Sequence, residues 1–437
     1  MIDASRGFMK DGNKNRLRAQ DIHKIVDTFN RQIEIPGYSR MVPLSEISDP
    51  KNDYNLNLPR YIDSTEPEDL QDIEGHLRGG IPDRDIDALA NYWKVFSSLR
   101  PLLFESAGRP GYNRLKLSVS DLKAAILGHP EFIAFRDSIT ALFLKWRKTS
   151  TPRLKNISIG DKPKALIETL SEDLLESFRK APLLDAYDVY QHLMDYWTET
   201  VQDDAYMVVG GGWREAAKPR LIVEEKEKKT KEKADFTVGK QKFKADLIPG
   251  PLLIAKYFSK EQAAIESLEA EAATIQQQLE EMAEEHGGEE GLLLGAKNEK
   301  DKLTKSSVME RLKEIKGDDE FADEQKVLKE YLALLEKESE ANDRLKKSRR
   351  ELESKIATKY GMLTEDDIKT LVVDDKWLAT LAAAVQSELD RVSQTLTGRI
   401  RQLAERYATP LPEIITEVET LAARVDEHLK KMGAIWK

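Results

Sequence analysis

The most regular rhythm in the chain runs from Ile265 through Leu268, Ala272, Ile275 and Leu279 to Met282, in steps of 3, 4, 3, 4 and 3 residues. Such steps keep apolar side chains on one seam of a helix, and a seam calls for a facing helix. His286-Gly-Gly288 predicts its end, because paired glycines destabilise a helix and favour a left-handed cap. A second seam runs through Leu328, Tyr331, Leu335, Leu345, Leu352 and Ile356, with Glu338, Asn342 and Arg349 interrupting it. The two seams predict an antiparallel pair, one helix folding back on the other. Periodicity alone leaves open whether they meet within a chain or between chains.

Upstream, Ile22, Ile25, Val26 and Phe29 stand at i, i+3, i+4 and i+7, which predicts a helix over 21–29 with one stripe packed against a neighbour. Lys10–Asn15 is turn-rich. Pro36-Gly37, Pro43, Pro50, Pro59, Pro67 and Gly79-Gly80 then predict an irregular connector. Helical spacing returns over 82–103 (Ile86, Leu89, Ala90, Trp93, Phe96, Leu99), and further helices are predicted at 119–128, 130–148, 163–181 and 184–204. Trp93, Trp146 and Trp197 suit the core of this helical part. Over 205–250, Tyr206–Val209, Arg220–Val223 and the alternating Lys240, Lys242 and Lys244 predict a small hairpin or sheet. The charged run 224–233 reads as its solvated tip. Helices at 375–407 and 411–432 meet at Pro410 and Pro412.

The expected fold is mainly α: a helical domain with a small β hairpin or sheet insertion, long antiparallel coiled-coil-like helices and a C-terminal helical bundle. The expected divisions are 1–30, a connector over 31–80, a helical domain over 81–204, the β insertion over 205–250, the long helices over 251–360 and the last helices over 361–437.

A length of 437 residues exceeds what one core usually supports. Charged residues at 33 % against 40 % apolar suit long, solvent-facing helices. There is no cysteine, which excludes disulfides and cysteine-based zinc or thiol chemistry and fits a cytoplasmic setting. No signal-peptide pattern opens the chain, and no run of about 18 apolar residues occurs, so no membrane association is expected. The net charge of −10 argues against unspecific coating of nucleic acid, so any DNA contact must be local or shared with a partner.

The six histidines never fall at i, i+4, and His-Glu-x-x-His is absent, so no metal site is assigned. Asp-Pro-Pro and Asn-Pro-Pro, which an amino-methyltransferase uses to grip a flipped base, are also absent. Gly210-Gly-Gly212 lacks the strand before it and the helix after it that a cofactor turn needs, and reads as a flexible turn. No catalytic, cofactor-binding or metal residue is therefore assigned. Lys14, Asn15, Arg16 and Arg18 are candidates for facing phosphates, and Asn55, Asn57 and Arg60 carry donors suited to phosphates or buried carbonyls. Arg344, Lys346, Lys347, Arg349 and Arg350 place five cations in seven residues, read as a solvated helix face balanced by Glu340, Glu351 and Glu353. The candidate helix interface comprises Ile265, Leu268, Ile275, Leu279, Met282, Leu328, Leu335, Leu345, Leu352 and Ile356.

Asp53-Tyr-Asn-Leu-Asn-Leu-Pro-Arg-Tyr-Ile-Asp63 follows neither a helical nor a strand rhythm. It resembles a segment of the modification (methyltransferase) subunit of type I restriction-modification systems. Ile2–Ser5 with Asn15-Arg-Leu17, Gly80-Ile-Pro82 with Tyr92-Trp93, Met194–Trp197 with Gln202–Asp204, Asp246–Pro249, Leu371–Trp377 and Leu396–Arg399 extend the resemblance in order. It implies the carboxy-terminal portion of such a subunit, with 1–30 the end of the catalytic domain. The family's cofactor and catalytic motifs lie upstream of the resembling part, so this chain alone is expected to be inactive. For a complete subunit the resemblance implies adenine N6 methylation from S-adenosylmethionine, assembly with a specificity and a restriction subunit, and DNA contact through that complex. The stretch 53–63 is then expected to act as a domain-positioning clasp. The competing reading is a stand-alone coiled-coil scaffold joined through its seams.

Overall fold

The computed structural model describes residues 1–65, 70–223, 232–288 and 291–433. In chain order its principal helices are α1 (Ala19–Arg31), α2 (Pro130–Lys155), α3 (Pro163–Phe178), α4 (Ala186–Tyr196), α5 (Ser259–His286), α6 (Lys305–Glu314), α7 (Ala322–Met362), α8 (Ala379–Arg406) and α9 (Leu411–Lys431). The strands are β1 (Met9–Asp11), β2 (Lys14–Arg16), β3 (Ile81–Pro82), β4 (Phe104–Ser106), β5 (Tyr112–Leu115), β6 (Arg220–Leu221), β7 (Phe236–Val238) and β8 (Gln241–Lys244). The chain forms two compact units, one from 1–206 with 377–437 and one from 207–376. The fold is mainly α with small antiparallel sheets.

In the first unit the core is built from helix faces. Pro130 opens α2, with its fixed φ suited to the first helical turn, and the His129 imidazole accepts the Glu131 N–H. Phe132, Phe135, Ile139, Phe143 and Trp146 form its buried face, and Phe96 sets its ring 5.5 Å from each of Phe132 and Phe135. The Trp146 indole donates to the Leu170 carbonyl of α3 at 3.1 Å. Leu389, Val392, Leu396, Ile400 and Leu403 are the buried stripe of α8, in steps of 3 or 4.

β3, β5 and β4 form an antiparallel sheet in that order. Gly79 and Gly80 enter it with φ of 74° and 94°, and a Cβ on Gly80 would lie 3.2 Å from the Tyr112 Cβ. Glycine is required there for both reasons. This gives Gly80-Ile-Pro82 a structural role.

Several expectations change. The single helix expected over 82–103 is three short ones, Asp83–Asp87, Ala90–Val95 and Leu99–Leu103, held together partly by the Trp93 indole donating to the Ile86 carbonyl at 2.7 Å. Tyr206–Val209 is no strand. It belongs to the helix Gln202–Gly211, which continues α4 through a π-helical turn at Trp197–Val201. Trp197, Val201, Ala205 and Val208 recur at steps of 4, 4 and 3 and are buried, a helical stripe that outweighs the β-propensity of Met207-Val-Val209. Gly212, at φ 79°, follows this helix. The connector over 30–80 holds the short helices Leu44–Ile47 and Ile73–Arg78 and a 3₁₀ turn at Leu58–Arg60.

In the second unit α5 and α7 pair with each other. Arg349 meets Glu269 at 2.6 Å and Lys355 meets Glu261 at 3.0 Å, so positions rising along one helix fall along the other: the pair is antiparallel. Ala341, 1 % exposed, fills the seam place between Tyr331 and Leu345 that the sequence reading assigned to Asn342. Leu293, Val308 of α6 and Ile315 close the same cluster. β6, β8 and β7 form a sheet in that order, whose Phe236 and Phe243 rings stack at 5.3 Å. Phe236 also stacks on Tyr360 of α7, and the Tyr360 hydroxyl donates to the Ile248 carbonyl at 2.6 Å. Of the charged tip expected over 224–233, residues 224–231 lie outside the described residues.

Candidate interaction surfaces

Turn-rich Lys10–Asn15 folds into the β1–β2 hairpin, with Met9 opposite Arg16 and Asp11 opposite Lys14. Gly12, at φ 60°, takes the first place of the two-residue loop, where a type II′ turn needs glycine. Directly opposed residues share a face, so Lys14, Arg16 and Asp11 point one way and Asn15 the other. Lys14 and Arg16 are exposed, and Arg16 lies 3.8 Å from Asp11.

Arg18 is committed elsewhere. Its guanidinium donates twice to Asp21 at 2.9 Å, and its backbone N–H donates to the same carboxylate. Burial works to raise the Asp21 carboxyl, but these donors hold it below the usual carboxylate range. Arg18 thus pins the start of α1 and is not presented to a ligand.

The seating of α1 reverses the expectation from its apolar stripe. Ile22, Val26 and Phe29 are 52 %, 48 % and 75 % exposed, while Gln20, Asp21, Asp27 and Thr28 are buried. The helix docks by its polar face. Asp27 accepts from the Tyr187 hydroxyl at 2.6 Å, from Arg179 at 2.9 Å and from Arg31 at 2.7 Å. Gln20 donates to Asp188 at 3.0 Å, and Lys24 meets Asp185 at 3.0 Å. Asp188 also accepts from Arg391 of α8, which joins Glu388; Glu388 in turn meets His192 at 2.8 Å. Sequence reasoning missed this network, since its members lie up to 203 residues apart.

The stretch 53–63 is stapled to its own surroundings. Asp53 and Tyr54 take positive φ, the Asn55 side-chain oxygen accepts the Asn57 N–H at 2.9 Å, and the Tyr61 hydroxyl donates to the Asn55 carbonyl at 2.6 Å. Arg60 donates to the Lys51 carbonyl at 3.0 Å. Tyr61 and Ile62 are buried, whereas Tyr54 and Leu56 are exposed. Asn55 and Arg60 therefore spend these groups on the loop itself.

The seam residues Ile265, Ile275, Leu279, Leu328, Leu345, Leu352 and Ile356 are buried, and Leu268, Met282 and Leu335 half-buried, in the second unit with the α5–α7 pair. In the basic cluster of α7, Arg349 is taken by Glu269 and Arg344 lies 3.4 Å from Glu340, while Lys346, Lys347 and Arg350 are exposed.

An exposed apolar face lies along α9. No residue of this helix is buried, and Leu411, Ile414, Ile415, Val418, Leu421 and Val425 are 43–59 % exposed. The signal was in the sequence: Leu411, Ile414, Val418, Leu421 and Val425 step by 3, 4, 3 and 4.

Gly210–Gly212 ends a helix with no strand leading into it, so these residues do not fit the turn that would cradle S-adenosylmethionine. Among the described residues no three histidines, aspartates or glutamates converge as for a metal ion, and no helix is long and apolar enough to cross a membrane.

The family model for N-6 DNA methylases matches residues 1–70, the segment that holds the hairpin, α1 and the 53–63 loop. This segment is similar to that family. The relatives narrow the likeness to one branch of it. The chain is 43 % identical over 79 residues to the type I restriction enzyme MjaVII methylase subunit of Methanocaldococcus jannaschii, and 32 % identical over 73 residues to the type I restriction enzyme MpnII methylase subunit of Mycoplasma pneumoniae. Each alignment covers 17 % of this chain and 13 % of the relative. The likeness to type I methylase subunits therefore covers a small part of this chain and of each relative. No solved structure matches the chain.

Proposed function

We propose that this chain is the carboxy-terminal, assembly-bearing part of a type I restriction-modification methyltransferase subunit, acting on adenine N6 with S-adenosylmethionine bound by catalytic motifs outside this sequence. The observation that carries the assembly role is the α9 face, where six apolar side chains stand exposed on a helix that buries none of its residues. A helix of this kind is read by a groove or by partner helices through i, i+3, i+4 and i+7 anchors. The specificity subunit is the proposed partner, with the restriction subunit joining the complex. Lys14 and Arg16 on the amino-terminal hairpin, with Lys346, Lys347 and Arg350 on α7, are the proposed phosphate contacts. A scaffold joined through the α5 and α7 seams is less well supported, because those seams already face each other.

Co-expression with a specificity subunit tests the reading. The wild-type chain should co-purify with it, and Val418→Glu with Leu421→Glu should abolish co-purification while leaving the thermal melt of the chain unchanged. Retention of the complex by that variant sinks the assignment of α9.

A further inference from the structure

We propose that, without another partner, α9 pairs antiparallel with α9 of a second copy of this chain about a two-fold axis. Its seam reads as a heptad with Leu411, Val418 and Val425 at a, and Ile414, Leu421 and His428 at d. In an antiparallel pair each a residue shares a layer with a d residue of the other helix. One register fills the seam from end to end: Val418 against Leu421, Ile414 against Val425, and Leu411 against His428, each occurring twice by symmetry. His428 thus falls in the end layer, next to solvent. That same register sets Glu417 of each helix beside Arg424 of the other, and Ile415 beside Ala422.

The neighbouring registers match charge and apolar positions less well. Moving one way leaves Val425 and His428 with no facing residue in the helix and sets Glu417 against Glu417; moving the other sets Arg424 against Arg424 and places His428 opposite Val418. A parallel pair sets Glu417 beside Ala422 and Arg424 beside Leu429, with no charge matched. Charge pattern and apolar pattern therefore select the same antiparallel arrangement. Both Glu417 and Arg424 are exposed, and among the described residues neither forms an ion pair, so both are available to a second copy. The pairing covers the face otherwise offered to the specificity subunit. That the specificity subunit displaces it rests on the function proposed above; the pairing itself does not.

Analytical ultracentrifugation of the full chain over a range of concentrations tests it, read alongside Glu417→Arg, Arg424→Glu and the double exchange. Wild type should shift with concentration from 49.7 kDa to twice that mass. Each single exchange creates two like-charge contacts and should weaken dimerisation by about tenfold. The double exchange should restore it. Both positions of the test are exposed on a helix surface, so unchanged circular dichroism melts are expected and separate loss of pairing from loss of folding. A chain that stays at 49.7 kDa at every concentration overturns the proposal, as does a double exchange that fails to restore what the single ones lose. A monomer that still captures the specificity subunit refutes the self-pairing alone. A dimer that ignores the specificity subunit refutes the assembly reading alone.

Discussion

Trp377 donates its indole N–H to the Asp204 carboxylate at 2.7 Å, and both side chains are 3 % exposed. The two residues lie 173 positions apart, and both belong to the first unit. Trp377→Phe keeps most of the ring volume but removes the donor to a buried carboxylate. The expected cost is about 1–3 kcal/mol, read as a lower urea midpoint at unchanged m-value. Asp204→Asn keeps an acceptor for the indole and should cost less than Trp377→Phe.

The polar docking of α1 depends on Asp27, which accepts from Tyr187, Arg179 and Arg31. Burial acts to raise this carboxyl, but the Tyr187 and Arg179 donors outweigh it and hold Asp27 below its ordinary range. Asp27→Asn removes the charge that all three partners address. It should destabilise the first unit by about 1.5–3 kcal/mol, and hydrogen exchange should show faster opening of the α1 amides than of those in α8.

His192 and Glu388 predict a pH dependence. Glu388 holds the imidazole above its ordinary 6.5, so the folded state binds that proton more tightly than the unfolded chain does. This stabilisation is complete below about pH 6.5 and is lost as pH rises through the raised value. His192, with Arg391 assisting, holds the Glu388 carboxyl below 4.5, a contribution present above that value and lost as pH falls through the lowered one. The pair therefore helps most between 4.5 and 6.5. Thermal melts of His192→Gln should be flatter than wild type between about pH 6.5 and pH 8; parallel curves would show that the pair is not what titrates.

Phe29 is 75 % exposed on α1, so Phe29→Ser removes no core contact. Its stability should stay within about 0.5 kcal/mol of wild type. A large loss on chemical denaturation would mean that the apolar stripe of α1 is packed after all.

Helix content was readable from the sequence wherever one face repeats over many turns. The ends of α5 and α9 fall where paired glycines and prolines stand, and the seam spacing of α5 and α7 called for a facing helix. Local cues failed where long-range contacts decide. Met207-Val-Val209 prefers strand, yet it continues a helix already buried through Trp197, Val201 and Ala205. The stripe of α1 promised apolar packing, but Asp27, Gln20 and Lys24 found charged and polar partners more than 150 residues away, and the helix turned its polar face inward. The candidate contacts divided in the same way. Their chemistry was visible in the sequence, while only the tertiary structure committed Arg18 to Asp21 and Arg60 to the Lys51 carbonyl and left Lys14 and Arg16 on the surface.

Taken by itself, the sequence determined that this protein is a mostly helical chain carrying short motifs, in order, that resemble those of type I modification subunits. Periodicity and short ordered motifs are local properties of a chain. What only the tertiary structure decided is which apolar faces find partners within the chain. The α5 and α7 seams satisfy each other, whereas α9 buries none of its residues. A hydrophobic pattern states that a face should be covered, but the covering surface is chosen in three dimensions, and for α9 the described chain does not supply it.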